Sequence, residues 1–196
     1  VWMDHGLWPL MTTKLYIDQT GDAEILNQTA PYFKDSSSMR GTAKDTLWDA
    51  GQGNWQRTEN HEIYYGTILE HLLIQNLTAF FETGAHNLCR LRDADWNDAL
   101  DMASEHGESV AFTCAYAGNL LDLAQMIRLL ETHTSLHSAE LMEELSLLLD
   151  NEPDLFGDTG KKQEILAAYT ERCRHTVSGR KTSFSLASLA ANLTQK

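Results

Sequence analysis

Between Ser109 and His133 the apolar residues Val110, Phe112, Tyr116, Leu120, Leu123 and Ile127 recur at helical spacing on more than one face. A helix of that kind has to be surrounded by other elements, and a chain of 196 residues is long enough to build one sizeable core around it. Helices are predicted at 7–19, with Pro9 in the first turn and Gly21 as the stop, and at 22–33, with Asp22 as N-cap. A third runs over 63–81, where Ile63, Leu69, Leu72, Leu73, Leu77 and Phe80 form a wide apolar stripe that ends at Gly84. Shorter ones follow at 138–150, 161–173 and 183–193, with Pro153, Gly157 and Gly160 as punctuation. No convincing alternating run predicts a strand. The expected fold class is all-α, a barrel of antiparallel helical hairpins with its long loops gathered at one end.

The pattern is lost over 34–60, where Ser36, Ser37, Ser38, Gly41, Gly51 and Gly53 surround Trp48 and Trp55. A loop that long in a compact domain is usually functional or disordered. The two tryptophans suit a platform above a binding site, and equally suit packing of the loop onto the domain.

A net charge of −13 argues against nucleic acid and anionic membranes as partners, because both require a basic footprint. Its dispersal along the chain reads as a solvated acidic surface. Cys89, Cys114 and Cys173 are odd in number and widely spaced, as expected of reduced thiols in a cytoplasmic protein rather than a disulfide frame or zinc site. No signal-like or membrane-length apolar run is present at this N-terminus. Sequons at Asn27, Asn76 and Asn192 read as chance. Starting at Val1 and ending at Lys196 after an amphipathic run, the chain is expected to be a fragment of a larger one.

The chemistry is concentrated between Arg90 and Asp101, where four aspartates surround Trp96 and Asn97. Such a connection between two rigid elements is a usual place for catalytic groups. An acid held against an aromatic face loses solvation, its pKa rises, and it becomes able to donate a proton at neutral pH; Asp98, two residues from Trp96, is the candidate. The flat face of Trp96 suits a sugar ring, and Asp95 and Asn97 are candidate hydrogen-bonding partners for its hydroxyls, although bracing the loop is the commoner task of such residues. Glu108 is a candidate site residue as well, against the simpler reading of an acid at a helix N-terminus. Asp93, Asp95 and Asn97 match positions one, three and five of a calcium loop, but Asp98 replaces the glycine at six and Ser104 the glutamate at twelve. No metal is expected. His71 reads as a satisfied core histidine, and His61 and Glu62 carry less signal still.

Asp95-Trp96-Asn97-Asp98, followed by Gly107-Glu108-Ser109-Val110, resembles the inverting glycoside phosphorylases of the cellobiose and chitobiose phosphorylase type, glycoside hydrolase family 94, with their β-1,3-glucan oligosaccharide relatives. In that family the motif is Gly-Asp-Trp-Asn-Asp-Gly; Ala94 and Ala99 replace its glycines here. Upstream, Asp4-His5-Gly6-Leu7-Trp8-Pro9-Leu10, Tyr16-Ile17-Asp18-Gln19-Thr20-Gly21-Asp22 and Glu70-His71 resemble further family segments in the same order.

The resemblance implies part of an (α/α)6 barrel, with seven or eight predicted helices of the twelve a closed barrel needs. Completion would come from the remainder of the parent chain or a second copy. It also implies that Asp98 is the proton donor, that Trp96 lines the donor-sugar subsite, and that the partners are a β-gluco-oligosaccharide and inorganic phosphate, with no cofactor beyond that co-substrate. The expected product is α-glucose 1-phosphate, and the alanines favour β-1,3-gluco-oligosaccharides over cellobiose. The alternatives are an inverting hydrolase on the same scaffold, which needs a second carboxylate to activate water, and a non-catalytic acidic helical binding module. The isolated 196-residue chain is expected to be inactive or nearly so.

Overall fold

The computed structural model describes residues 3–38, 41–92, 106–150 and 152–196. Six α-helices run through them: α1 (Leu7–Thr20), α2 (Ile68–Phe81), α3 (Val110–Thr134), α4 (Ser146–Leu149), α5 (Thr159–Cys173) and α6 (Leu186–Gln195). α3 is the centre, with α1, α2 and α6 packed against it and α5 against α2 and α4. Its length and apolarity would suit a membrane span, but Phe112, Tyr116, Leu120, Leu123, Ile127 and Leu130 are packed in the core. Fully burying such a side chain contributes about 1.5–3 kcal/mol.

Helix ends follow local chemistry. Thr67, Ser109, Asp158 and Ser185 cap α2, α3, α5 and α6, each accepting a first-turn backbone N–H through its side chain. Gly21 stops α1 in the left-handed conformation at φ 73° and donates its N–H to the Ile17 carbonyl. Between α2 and α3, Asn119 Nδ2 donates to Asn76 Oδ1 at 3.0 Å and Asn76 Nδ2 to the Leu72 carbonyl at 2.8 Å. This clasp is buried, so the Asn76 sequon is inaccessible in the folded chain.

The all-α expectation holds in part: helices dominate, but five two-stranded ladders occur among the described residues. The ten strands are β1 (Thr29–Pro31), β2 (Ser37–Ser38), β3 (Ala43–Lys44), β4 (Arg57–Thr58), β5 (Tyr65–Thr67), β6 (Cys89–Arg90), β7 (Glu108–Ser109), β8 (Ser138–Met142), β9 (Thr176–Val177) and β10 (Lys181–Ser185). β1 pairs with β5, β2 with β3, β6 with β7 and β8 with β10, all antiparallel, while β4 and β9 are parallel.

Four predicted helices are affected, the first being 63–81, whose start is taken by β5 so that α2 begins at Ile68. The predicted 138–150 helix is instead β8, a 3-10 turn at Glu143–Leu145 and the single-turn α4, because its first half finds a backbone partner in β10. The start of the predicted 183–193 helix is taken by the same ladder, so α6 begins at Leu186. The predicted 22–33 helix is a 3-10 turn over Ala23–Asn27 followed by β1, as Pro31 requires. Asp22 does not cap it; its carboxylate accepts the Tyr16 hydroxyl at 2.8 Å.

The 34–60 segment is ordered by its own polar contacts. Buried Asp45 takes Lys34 Nζ at 3.1 Å and His175 Nδ1 at 2.9 Å, and β4 joins β9 beyond the end of α5. Trp48 and Trp55 border a small cleft with Lys34, Arg57 and His175. This places them at the end of α5 and the entry to α2. The acidic motif follows the exit of α2, and that helix spans about 20 Å. Of the two, Trp48 is partly buried against the domain and Trp55 stays 44% exposed at the rim of the cleft.

Candidate active site

Asp95, Trp96, Asn97 and Asp98 lie outside the described residues. What the structure describes is how the chain is held on either side of them. β6 and β7 pair Cys89 with Ser109 and Arg90 with Glu108, and the Leu91 N–H adds a bond to the Gly107 carbonyl at 2.8 Å. The two stems of the motif segment therefore run side by side. They are fixed to the helices at three points: the Arg90 N–H bonds the Glu82 carbonyl at 3.0 Å, Arg92 Nε reaches Glu82 Oε1 at 2.6 Å, and the Cys89 N–H reaches Thr113 Oγ1 at 2.8 Å.

Beneath the stems lies a second apolar cluster of Met3, Leu7, Ala79, Cys89, Leu91, Phe112 and Tyr116. It brings together two sequence motifs far apart in the chain, because Tyr116 donates its hydroxyl to the Met3 carbonyl and packs against Gly6. The Asp4-to-Trp8 segment thus sits on the same cluster as the motif stems. Asp4 Oδ2 accepts Trp8 Nε1 at 2.9 Å, while Asp4 Oδ1 is buried with no hydrogen-bond partner among the described residues. Sequence reasoning assigned Asp4 no role, and an unfilled acceptor beside the stems makes it a candidate sugar ligand. Trp8 is 55% exposed and lines an open groove of about 650 Å³ with His5, Thr12, His71 and Gln75.

Glu108 is placed by the same stems. Its Oε1 accepts the N–H of His86 at 3.0 Å and of Leu88 at 3.3 Å, and its Oε2 lies 2.6 Å from His86 Nδ1. Partial burial acts to raise its pKa, but the hydrogen bonds from His86 and Leu88 outweigh it and hold the carboxyl below its ordinary range. Glu108 therefore stays ionised and organises the turn at Gly84–Leu88. It is not the helix acid of the simpler reading, since Ser109 is the cap of α3 and the Glu108 side chain points back to that turn.

Two outcomes follow. A Cβ at position 84 would lie 2.5 Å from Glu108 Cδ and Cγ, so Gly84→Ala is expected to expel the carboxylate and cost about 1–3 kcal/mol, read as a lower urea midpoint. The pKa of Glu108 is lower folded than unfolded, so its stabilisation is complete above the unfolded value of 4.5 and is lost as pH falls through the folded one. Glu108→Gln is therefore expected to be less stable than the parent sequence at pH 7, with the gap closing in acid. A gap independent of pH in paired melting curves would contradict this.

The Glu70-His71 motif lies in the first turn of α2, about 18 Å of helix from Glu82, with His71 on the groove beside Trp8 and Glu70 turned into the core. Glu70 is fully buried. It accepts Tyr32 Oη at 2.9 Å, Tyr64 Oη at 3.0 and 3.1 Å, the Met142 N–H at 2.8 Å and Lys181 Nζ at 3.1 Å. The His71 ring stacks on Tyr32 with centroids 3.7 Å apart, and its Nε2 lies 3.1 Å from the Ala30 carbonyl. Glu70 is thus a structural hub, a role sequence reasoning missed. Thr67-Ile68-Leu69-Glu70, a capping-box pattern, was the available signal, though here the glutamate turns to the tyrosines instead of to Thr67.

The sequence that builds the stems and the Asp4-to-Trp8 segment has known relatives. The catalytic domain of the Glycosyl hydrolase 94 superfamily matches residues 1–151, and the chain belongs to that family. It is 25% identical over 130 residues to the solabiose phosphorylase of Paenibacillus borealis, which is 65% of this chain and 13% of that protein. It is 29% identical over 114 residues to the 3-O-beta-D-glucopyranosyl-beta-D-glucuronide phosphorylase of the same organism, covering 57% of this chain and 11% of that protein. The chain thus spans only a small part of the length of these curated relatives.

Proposed function

We propose that the chain is part of the catalytic domain of an inverting β-glucoside phosphorylase and contributes to an (α/α)6 barrel completed by the remainder of its parent chain. An oxygen of inorganic phosphate attacks the anomeric carbon from the face opposite the glycosidic oxygen, the bond to that oxygen breaks, and Asp98 gives it a proton. The products are α-glucose 1-phosphate and the shortened sugar. Trp96 lines the donor ring, with Asp95 and Asn97 as its neighbours in the motif. No cofactor is required, and the enzyme works in the cytoplasm. The observation that carries the reading is the joint placement of the motif stems and the Asp4-to-Trp8 segment on one apolar cluster.

Both relatives the chain matches are named phosphorylases, which favours phosphorolysis over hydrolysis, and the arrangement of Glu108 is consistent with it. An inverting hydrolase needs a second carboxylate to activate water, whereas phosphate is already an anionic nucleophile, and the Glu108 carboxylate is engaged with His86 and Leu88. The test is sugar release from β-gluco-oligosaccharides by the complete parent protein with and without inorganic phosphate. Glucose 1-phosphate formed only with phosphate is the expected result. Free glucose formed equally well without phosphate would replace this reading with a hydrolase.

A further inference from the structure

The ring of Phe80, next to last in α2, has two ammonium groups over it. Lys162 Nζ of α5 lies 3.8 Å from the ring centroid and Lys196 Nζ 5.6 Å, the latter also 4.5 Å from the centroid of Phe156. Lys162 is only 3% exposed and donates to Asn87 Oδ1 at 2.9 Å. Lys196 Nζ is shielded from solvent with no hydrogen-bond partner among the described residues, and so is Thr83 Oγ1, which lines the same cavity. Burial lowers each lysine to about 8, and the charge of Lys162 adds to the effect on Lys196. At neutral pH both amines remain mostly protonated. Asp150 is the one opposing charge among the described residues acting on Lys196.

Two like charges buried with so little counter-charge are costly, all the more so in a chain with acidic residues to spare. The groups surround a cavity of about 340 Å³ bounded by Phe80, Thr83, Asn87, Phe156, Lys162 and Lys196. That volume is at the lower end of the range of small-ligand pockets, about 300–1,000 Å³. Its polar lining carries two ammonium groups and the Thr83 hydroxyl as donors, while the Asn87 amide is engaged with Phe156 and Lys162.

We propose that this cavity binds a small oxyanion, inorganic phosphate or the phosphate group of a sugar phosphate, through Lys162, Lys196 and Thr83. The anion supplies the missing charge and fills the unused donor capacity of Lys196 and Thr83. The apolar faces of Phe80 and Phe156 leave room for a sugar ring beside it.

The experiment is isothermal titration of the full-length protein carrying this chain, in an Asp98→Asn background that prevents turnover, with sulfate, inorganic phosphate and α-glucose 1-phosphate in separate runs. A saturable sulfate site is expected that weakens by about tenfold or more, at least 1.4 kcal/mol, in both Lys162→Met and Lys196→Met. Lys196→Met, at the end of α6, serves as the readout should Lys162→Met fold poorly, and Lys162→Arg is expected to retain binding. For the binding component that both methionine variants weaken, a higher affinity for glucose 1-phosphate than for inorganic phosphate identifies a sugar phosphate as the source; an equal or lower one identifies free phosphate. Isotherms that superimpose between the parent sequence and both methionine variants would overturn the proposal. The sulfate run does not rest on the proposed reaction, so its failure counts against this site alone.

Discussion

A Glu70→Ala variant is expected to lose about 3–5 kcal/mol of folding stability, the cost of removing one partner from a buried ionic network. The loss is large because Glu70 joins parts of the chain that are distant in sequence. Its carboxyl group holds Tyr32 and Tyr64 at the entry to α2, the Met142 N–H at the end of β8, and Lys181 at the start of β10. Without it, the Tyr64 hydroxyl and the Met142 N–H are left buried and unpaired. Burial, then the negative charge of Glu70, holds both tyrosine hydroxyls well above their ordinary pKa, so they stay protonated as donors. The fit is close: a Cβ at Gly66 would lie 2.2 Å from Glu70 Oε1. Glu70→Gln keeps the shape but turns an NH2 group toward some of these donors, at about 1–3 kcal/mol. Urea unfolding followed by circular dichroism measures both variants. A loss below about 1 kcal/mol for Glu70→Ala would remove the hub from this account.

The other large effect is on catalysis. Asp98→Asn in the parent protein is expected to lower kcat for phosphorolysis of an oligosaccharide by about 10²- to 10⁴-fold, the contribution typical of a positioned general acid. The amide fills the same space and keeps an acceptor but has no acidic proton to give. Stability should change little and sugar affinity should survive, so the loss falls on kcat and not on KM. A loss confined to KM would make Asp98 a sugar ligand.

The long helices were legible because their apolar residues repeat at the helical period. The stripe of Leu69, Leu72, Leu73 and Leu77 is buried as expected, and α1, α3 and α5 fall within a residue or two of their predicted bounds. The short ladders were not. β8 and β10 meet across a separation of about forty residues, and the spacing of Leu141, Leu145 and Leu148 satisfies a helix as readily as a strand followed by a turn. Pro31 and the Thr67–Glu70 capping pattern were local signals of where helices had to stop and start. At the site, the motif itself was read from residue types, since a tryptophan among acids is unusual in any loop. The unfilled Asp4 oxygen, the stem pairing and the turn held by Glu108 depend on distances between remote segments, which no local pattern encodes. Trp48 and Trp55 stayed ambiguous by residue type, since a sugar platform and loop packing suit the same side chains, and the pairing of β4 with β9 shows only which elements they lie beside.

Proton donation by Asp98 is tested most directly by varying the leaving group. The complete parent protein and its Asp98→Asn variant would be compared in phosphate buffer on an oligosaccharide, whose departing oxygen must be protonated, and on a dinitrophenyl β-glucoside, whose departing oxygen need not be. The account predicts a loss of at least about 10²-fold on the oligosaccharide and a small loss on the activated glucoside. An equal loss on both substrates would contradict it, leaving Asp98 as a residue that shapes the loop rather than an acid.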